Sequence, residues 1–352
     1  MPDTTEAERL DEIEGVDTGR GELVTREGVG DLFEPLLQEA SEGRLGPIGW
    51  FRADWQRGGA KTGRAEWTLA DGEVVHPVKG DRTESGKARV VVKIPVGPVE
   101  YLWNERMQPD GEDEHGITAR TFASGKTIGG YDFAWIVMER FRSGPLFGVK
   151  RKDAIDLAAD AAARFYRRAT RYVVDTAKRL EDWPALLERA REACRSEMLP
   201  KSQEWHSAIK RLQKQGQGWI REWTERPITG WIHGDLHPAN VMSRSDDAED
   251  PAMLIDLAAV RPGHWIEDAV YLERIYWARR SLIDGHDPVS LIGNARKRYG
   301  LAGLCDEGDV HHLAQIRRAL LAATAPAYLK SEGSPTYLTA CLSVLEEMLK
   351  KL

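Results

Sequence analysis

The stretch His233-Gly-Asp-Leu-His-Pro-Ala-Asn240 places an acid, two imidazoles and a carboxamide within eight residues, directly after a short apolar run. A second apolar run, Met253-Leu-Ile, ends on Asp256. A base, an amide and a second acid, each next to a strand-like segment, are the groups that magnesium-dependent phosphoryl transfer needs. The sequence therefore predicts phosphate chemistry at these residues.

Each of the three polar residues has a candidate role. In phosphoryl transfer a carboxylate accepts or orients the proton of the acceptor hydroxyl, and Asp235 is the candidate base. Magnesium prefers oxygen ligands and keeps several waters, so Asn240 and Asp256 are candidate metal ligands. In the alternative interpretation His-Gly-Asp is only a turn and Asn240 caps a helix. That alternative leaves the second acid at the end of an apolar run unexplained.

Residues 233–240, followed by Leu254-Ile-Asp-Leu257, resemble the signature of the aminoglycoside phosphotransferase/choline kinase group, whose catalytic loop reads His-Gly-Asp-x-His-x-x-Asn. The resemblance implies an α+β, bilobal protein-kinase-like fold with a small β-rich N-lobe and a larger, mainly helical C-lobe. It implies that Asp235 is the catalytic base, that Asn240 and Asp256 hold Mg²⁺, and that ATP or GTP donates the phosphate. The acceptor would be a small-molecule hydroxyl group, and His233 would support the loop.

Lys93 lies in the clearest strand of the sequence, residues 88–95, among β-branched neighbours. A lysine there is costly unless it has a partner, and the α- and β-phosphates of a nucleotide provide one. Val90-Val-Val-Lys93 resembles the family's lysine strand, so a helix acid is expected after a short loop. Glu105, twelve residues on, is preferred to Glu100, seven residues on. The alternative is an edge-strand lysine that faces water.

A phosphate-covering loop is expected before that strand. Residues 56–63 contain Gly58 and Gly59, which let backbone amides approach phosphate oxygens, and Lys61 or Thr62 would add contacts. The segment is not a Walker A loop. An ordinary glycine-rich surface turn is the alternative.

Residues 137–146 resemble the family's hinge, an apolar strand that ends in Met-Glu and is followed by Gly-Pro-Leu. The resemblance implies that adenine pairs with backbone groups near Glu139 and Phe141 and that Met138 lines the pocket. An ordinary core position is the alternative for Met138.

The chain departs from the family pattern after Asp256. The family usually continues to Gly-Asp-Pro, whereas here Gly263 is followed by His264 and Trp265. Asp268 is retained, and the resemblance implies that it is the buried acid that braces the catalytic loop. We expect the exchange to affect the scaffold or the substrate wall.

Composition and texture divide the chain into three regions. Residues 1–45 hold 13 acids and 4 bases, in a chain of net charge −7, and predict an acidic extension with a short helix. Residues 46–141 predict the nucleotide-binding N-lobe and hinge, and residues 142–352 the helical C-lobe with the catalytic loop and substrate site. In the C-lobe, one helix face is expected to be solvated, and it carries Arg164, Arg167, Arg168 and Arg171.

Several classes of protein are excluded at this level. No run approaches the roughly 18 apolar residues of a membrane span, and the basic residues are not concentrated with aromatic ones as in nucleic-acid-binding domains. Cys194, Cys305 and Cys341 are far apart, which suits a reducing cytosol. We expect a cytoplasmic protein with neither nucleic acid nor membrane as a partner. The sequence leaves the oligomeric state open.

Two functional hypotheses follow. The first is an O-phosphotransferase that acts on small molecules. The second is a pseudokinase-like nucleotide-binding module that acts through protein partners. The complete set of Lys93, Asp235, Asn240 and Asp256 favours the enzyme, because a binding module has no need of the base. A kinase acting on proteins is disfavoured, because no activation segment is recognisable between Asp256 and Asp268.

Overall fold

A computed structural model describes most of the chain beyond residue 28. The described residues are 29–51, 60–71, 86–110, 115–141, 145–146, 153–177, 181–195, 199–228, 230–244, 250–283, 285–303, 309–328 and 334–352. Gly58, Gly59, Cys305 and most of the acidic extension lie outside them. The chain divides into two compact units, the first Met1–Arg151 with Ala239–Ala259 and the second Lys152–Pro238 with Val260–Leu352.

The described residues form nine strands and ten α-helices. In order, the strands are β1 (Gly49–Phe51), β2 (Lys61–Thr68), β3 (Lys87–Val96), β4 (Thr121–Gly125), β5 (Ala134–Glu139), β6 (Gly230–Ile232), β7 (Val241–Met242), β8 (Met253–Leu254) and β9 (Arg261–Gly263). The α-helices are α1 (Val29–Ala40), α2 (Pro98–Arg106), α3 (Ala154–Ala169), α4 (Trp183–Ala193), α5 (Ser202–Gln215), α6 (Gln217–Glu225), α7 (Ile266–Arg274), α8 (Pro288–Arg298), α9 (Val310–Thr324) and α10 (Pro335–Leu349).

The first unit is built on a five-stranded antiparallel sheet in the order β1-β2-β3-β5-β4. Side chains alternate across a strand. In β3, Val90, Val92 and Ile94 enter the core, which puts Lys93 on the opposite face. Helix α1 covers the core side with Phe33 and other apolar residues. The sheet therefore presents Lys93 on the face that its own core does not use.

Two further elements of the first unit follow from local sequence. Helix α2 begins at Pro98, because proline at a first helical position loses no hydrogen bond and has a helical φ angle. The short strands β7 and β8 form an antiparallel ribbon, and Leu254 also pairs with Thr118. The ribbon packs Met253 against Ala119 and Phe141, so it belongs to the same unit as the sheet.

The second unit contains α3 to α10 and the strand pair β6–β9. Three helices start at aspartates, Asp182, Asp287 and Asp309, whose side chains accept hydrogen bonds from first-turn amides. Helix α3 packs against α8, and α9 against α10. In α3 the inward positions are largely alanines, which permit close helix contact. Among the described residues, no helix combines the length and hydropathy of a membrane span.

Candidate active site

The Lys93 side chain lies between two carboxylates of the first unit. Its Nζ is 2.6 Å from Glu100 Oε1 and 3.6 Å from Asp256 Oδ1. Burial lowers the pKa of Lys93, but the two neighbouring carboxylates more than offset this and raise the pKa above its usual value. Lys93 therefore stays charged at neutral pH, in position to meet an anion.

The prediction that Glu105 pairs with Lys93 is wrong. Helix α2 begins only five residues after Lys93, so its first turn, which contains Glu100, lies beside the lysine. Glu105 is exposed, because five helical steps of about 100° turn it well away from that side. The short connection between β3 and α2 therefore makes Glu100 the partner of Lys93.

The candidate metal ligands lie at the same end of the β7–β8 ribbon. Asn240 immediately precedes β7, and Asp256 follows β8 by two residues. The backbone N–H of Ile255 donates to the carbonyl of Asn240 over 3.0 Å, which continues the pairing to that end. Asp256 has φ of +57°, a conformation that aspartate tolerates better than most residues. An amide oxygen and a carboxylate fit a hard, oxygen-preferring cation such as Mg²⁺.

The backbone of the loop after β6 is held by an acid of α7. Asp268 is buried, and its carboxylate accepts hydrogen bonds from the backbone N–H groups of His233 and Gly234, each over 2.8 Å. The hydroxyl of Tyr166, from α3, donates to the same carboxylate over 2.8 Å. Gly234 has φ of +81°, where a side chain would add strain. His233 is also fully buried, and its Nδ1 accepts the backbone N–H of Asp235.

Asp235 follows this braced turn and keeps an ionised carboxylate. Burial tends to raise the pKa of Asp235, but the hydrogen bond and charge of His237, followed by Tyr271, hold that pKa well below its usual range. His237 Nε2 lies 3.6 Å from Asp235 Oδ2. An ionised carboxylate can accept a hydrogen bond from a hydroxyl group and so orient that group.

The hinge-like residues occupy the end of β5. The backbone N–H of Glu139 donates to the carbonyl of Arg120, so this amide is already used within the sheet. Met138 is partly buried and lies opposite Val91 of β3. Phe141, just beyond β5, is buried in a small cluster to which Met138 also contributes.

The buried side chain of Glu139 has a partner that sequence reasoning missed. Arg244, two residues beyond β7, forms two parallel hydrogen bonds with it, Nε to Oε1 and Nη2 to Oε2, both of 2.9 Å. No local pattern pointed to this pair, because its members are far apart in the chain.

Part of the expected phosphate loop is strand. Lys61, Thr62 and Gly63 pair with β3 as members of β2, so the prediction of a loop through residue 63 is wrong for these three residues. Gly63 is required by packing: a Cβ there would come within 2.3 Å of Ile48. A glycine explained by close approach of side chains is not evidence of phosphate binding.

The predicted solvated arginine face is also wrong for two of its members. Arg164 and Arg168 on α3 are buried, whereas Arg167 is exposed. At 8% and 5% exposure the guanidinium groups of Arg164 and Arg168 are buried together with their stems, so these residues belong to the inward side of α3.

A second buried cluster lies beside Asp268. Its neighbour Glu267 accepts from Arg226 over 2.6 Å and lies 2.8 Å from Arg261. Burial tends to raise the pKa of Glu267, but these two arginines and Arg317 lower it overall. The backbone N–H of the unusual residue His264 also donates to Glu267, so His264 is part of this scaffold.

Comparisons with known proteins identify a family and a fold for this chain. The profile of the phosphotransferase enzyme family matches residues 112–288, half of the chain. No curated protein sequence matches significantly.

Solved structures share the fold at low identity. Aminoglycoside phosphotransferase APH(4)-Ia matches 91% of this chain and 98% of its own, with a TM-score of 0.54 and 8% identity. A thermostable mutant of it, in ternary complex with AMP-PNP and hygromycin B, matches 90% and 97%, with a TM-score of 0.52 and 9% identity. A Ralstonia eutropha JMP134 protein assigned as an aminoglycoside phosphotransferase matches 92% and 98%, with a TM-score of 0.51 and 17% identity. These similarities confirm the predicted α+β kinase-like fold.

Proposed function

This chain belongs to the phosphotransferase enzyme family, and we propose that it transfers the γ-phosphate of ATP or GTP to a hydroxyl group of a small molecule. The observation that carries the proposal is the lysine held by Glu100 and Asp256. Lys93 is positioned by one carboxylate and stands beside a candidate metal ligand, as a nucleotide phosphate requires. We assign nucleotide binding to the first unit, with residues 46–141 as its N-lobe and hinge.

Asp235 is the proposed catalytic base. The acceptor hydroxyl gives its proton to the Asp235 carboxylate while its oxygen forms a bond to the γ-phosphorus. The bond from that phosphorus to the β–γ bridging oxygen breaks, and the nucleoside diphosphate leaves. Because the pKa of Asp235 is held low, the carboxylate is ionised, so that it can orient the acceptor hydroxyl and take its proton as the bond to phosphorus forms.

Asn240 and Asp256 would hold Mg²⁺, which neutralises charge on the β- and γ-phosphates when it is bound. Lys93 would contribute a further positive charge to the same phosphates. The bracing of the Asp235 loop by Asp268 keeps the base in one orientation. Positioning and charge neutralisation are the main contributions that a protein makes to this chemistry.

The small-molecule acceptor is sought among hydroxylated compounds, aminoglycosides included, because a structural neighbour binds hygromycin B. Cys194 is a buried free thiol, in keeping with the proposed cytoplasmic location.

The test is a screen for release of ADP or GDP with hydroxylated metabolites and antibiotics, with Asp235→Asn as the matched inactive control. We expect at least one acceptor to turn over with the wild type and none with the variant. Tight binding of magnesium nucleotide without turnover of any acceptor would instead support the pseudokinase-like module. Equal turnover by the variant would reject Asp235 as the base.

A further inference from the structure

Arg244 and Glu139 form a buried ion pair within the first unit. Both side chains are almost fully buried, at 5% and 7% exposure, and both ends of the carboxylate meet the guanidinium. Two parallel bonds of this kind fix orientation as well as distance. The pair therefore joins the end of β5 rigidly to the loop that connects β7 to β8.

Arg244 makes two more contacts in the same unit. Its Nη1 donates to the carbonyl of His115 over 3.0 Å, and its guanidinium lies 5.8 Å from the ring centroid of Phe141. One side chain thus touches the last residue of β5, the residue just beyond β5 and the segment before β4. Arg244 itself lies four residues after Asn240, a candidate metal ligand.

A buried ion pair is an expensive way to stabilise a protein. Removing two charges from water costs several kcal/mol per ion by general estimates, and apolar residues of similar volume often stabilise as well or better. This pair joins the hinge to the β7–β8 ribbon, which carries the candidate metal ligands. Its presence is better explained by the orientation that it imposes on the hinge relative to the ribbon. Glu139 and Phe141 flank the backbone expected to meet the base, and Asn240 and Asp256 are the expected metal ligands.

We propose that Arg244 is a positioning residue for the nucleotide, which acts through Glu139 to align the hinge with the ribbon that carries Asn240 and Asp256. The inference rests on the proposed nucleotide-dependent function. The base of the nucleotide depends on this alignment, whereas the phosphates meet Lys93 and the metal ligands. Loss of the pair should therefore weaken recognition of the base more than recognition of the phosphates.

The experiment measures binding of Mg-ATP and of Mg-tripolyphosphate, which lacks base and ribose, by calorimetry. Two variants are compared with the wild type. Arg244→Lys keeps the positive charge but cannot form the two parallel hydrogen bonds, and Glu139→Gln keeps the shape of the side chain but not its charge. We expect each to weaken binding of Mg-ATP by about tenfold, or about 1.4 kcal/mol, because the pair acts on the nucleotide only through the orientation of the hinge. Binding of Mg-tripolyphosphate should change by less than about twofold, because the groups expected to bind the phosphates are not altered in either variant.

Glu66→Gln is the matched control. Glu66 pairs with Lys87 over 3.0 Å between β2 and β3 of the same sheet, and both side chains are exposed. It should leave both affinities unchanged. Melting temperatures are recorded for all variants, and if Arg244→Lys does not fold, the isosteric Glu139→Gln decides the comparison.

The outcomes separate the two proposals. If the wild type binds neither ligand, the proposed nucleotide-dependent function is rejected. If the wild type binds Mg-ATP more tightly than Mg-tripolyphosphate and the variants lose both equally, or lose neither, Arg244 is not a positioning residue. Selective loss of Mg-ATP in both variants supports the inference.

Discussion

Gly234 donates its backbone N–H to Asp268 Oδ1 over 2.8 Å, and this bond ties the turn before the proposed base to a buried acid of α7. The neighbouring N–H of His233 donates to the other carboxylate oxygen over the same distance. An acid 34 residues beyond Gly234 in sequence thus holds the backbone that precedes Asp235. The arrangement makes Asp268 a positioning residue.

We expect Asp268→Asn to lower both kcat and stability. The asparagine keeps the volume but turns an NH₂ group toward a donor, and leaving such a buried donor unsatisfied costs about 1–3 kcal/mol of unfolding free energy. Chemical denaturation measures the stability, and steady-state kinetics should show kcat reduced with KM for the nucleotide unchanged. Tyr166→Phe, which removes only the third bond to Asp268, is the milder control. A destabilised variant with wild-type kcat would contradict the positioning role.

Glu100→Gln should impair nucleotide use, whereas Glu105→Gln should not. Glu100 contacts Lys93 directly, and a neutral amide holds the ammonium group less firmly. We expect a fall of about tenfold to a hundredfold in kcat/KM for the nucleotide, or about 1.4–2.7 kcal/mol of transition-state stabilisation. Glu105 lies on the same helix and is exposed, so its variant controls for changes to α2. Equal effects of the two variants would show that the contact of Lys93 with Glu100 is unimportant.

The acid side of the pH–rate profile should depend on His237. In the wild type, the pKa of Asp235 is held well below its usual value, so the carboxylate is ionised throughout the range from about pH 5 to 8. In His237→Gln the charge that lowers this pKa is gone, and burial raises it. We expect kcat of the variant to fall more at the acid end than at the alkaline end of that range. Parallel profiles for the two proteins would show that His237 does not control the base.

Asp256→Asn should remove the magnesium-dependent part of nucleotide stabilisation. Asparagine tolerates the φ of +57° at this position, so the substitution tests the charge and not the backbone. Thermal melting with nucleotide, with and without Mg²⁺, measures the effect, and the melting temperature of the unliganded variant serves as the control. If Mg²⁺ still raises the melting temperature of the nucleotide complex as in the wild type, Asp256 is not a metal ligand.

Acid should destabilise the second unit through Glu267. The pKa of Glu267 is lower in the folded state than the value of about 4.3 expected for an unfolded chain. The stability that it contributes is therefore fully present above that value and is lost as the pH falls below it. We expect Glu267→Gln to be less stable than the wild type at pH 7 and to show a shallower loss of stability on acidification. The exposed residue Glu66 provides a control, because Glu66→Gln should change the acid dependence little.

The sequence by itself predicted phosphoryl transfer, and its resemblance to a known family implied the type of fold. The octapeptide and the Ile-Asp pair are local patterns, and residue types at fixed spacing indicate phosphoryl transfer whatever surrounds them. Strand β3, with its β-branched run, and helix α2, with Pro98 at its start, were likewise readable, because period-two burial and helix starts are encoded within a few residues.

The tertiary structure decided which side chains meet. It paired Lys93 with Glu100, placed Lys61 to Gly63 in a strand and buried two arginines expected in solvent. It also joined Glu139 to Arg244, 105 residues away in the chain. Which side chains come into contact depends on the angle between successive helices and strands and on which charged groups are buried. Both are set by long-range packing, which a sequence pattern of a few residues does not contain.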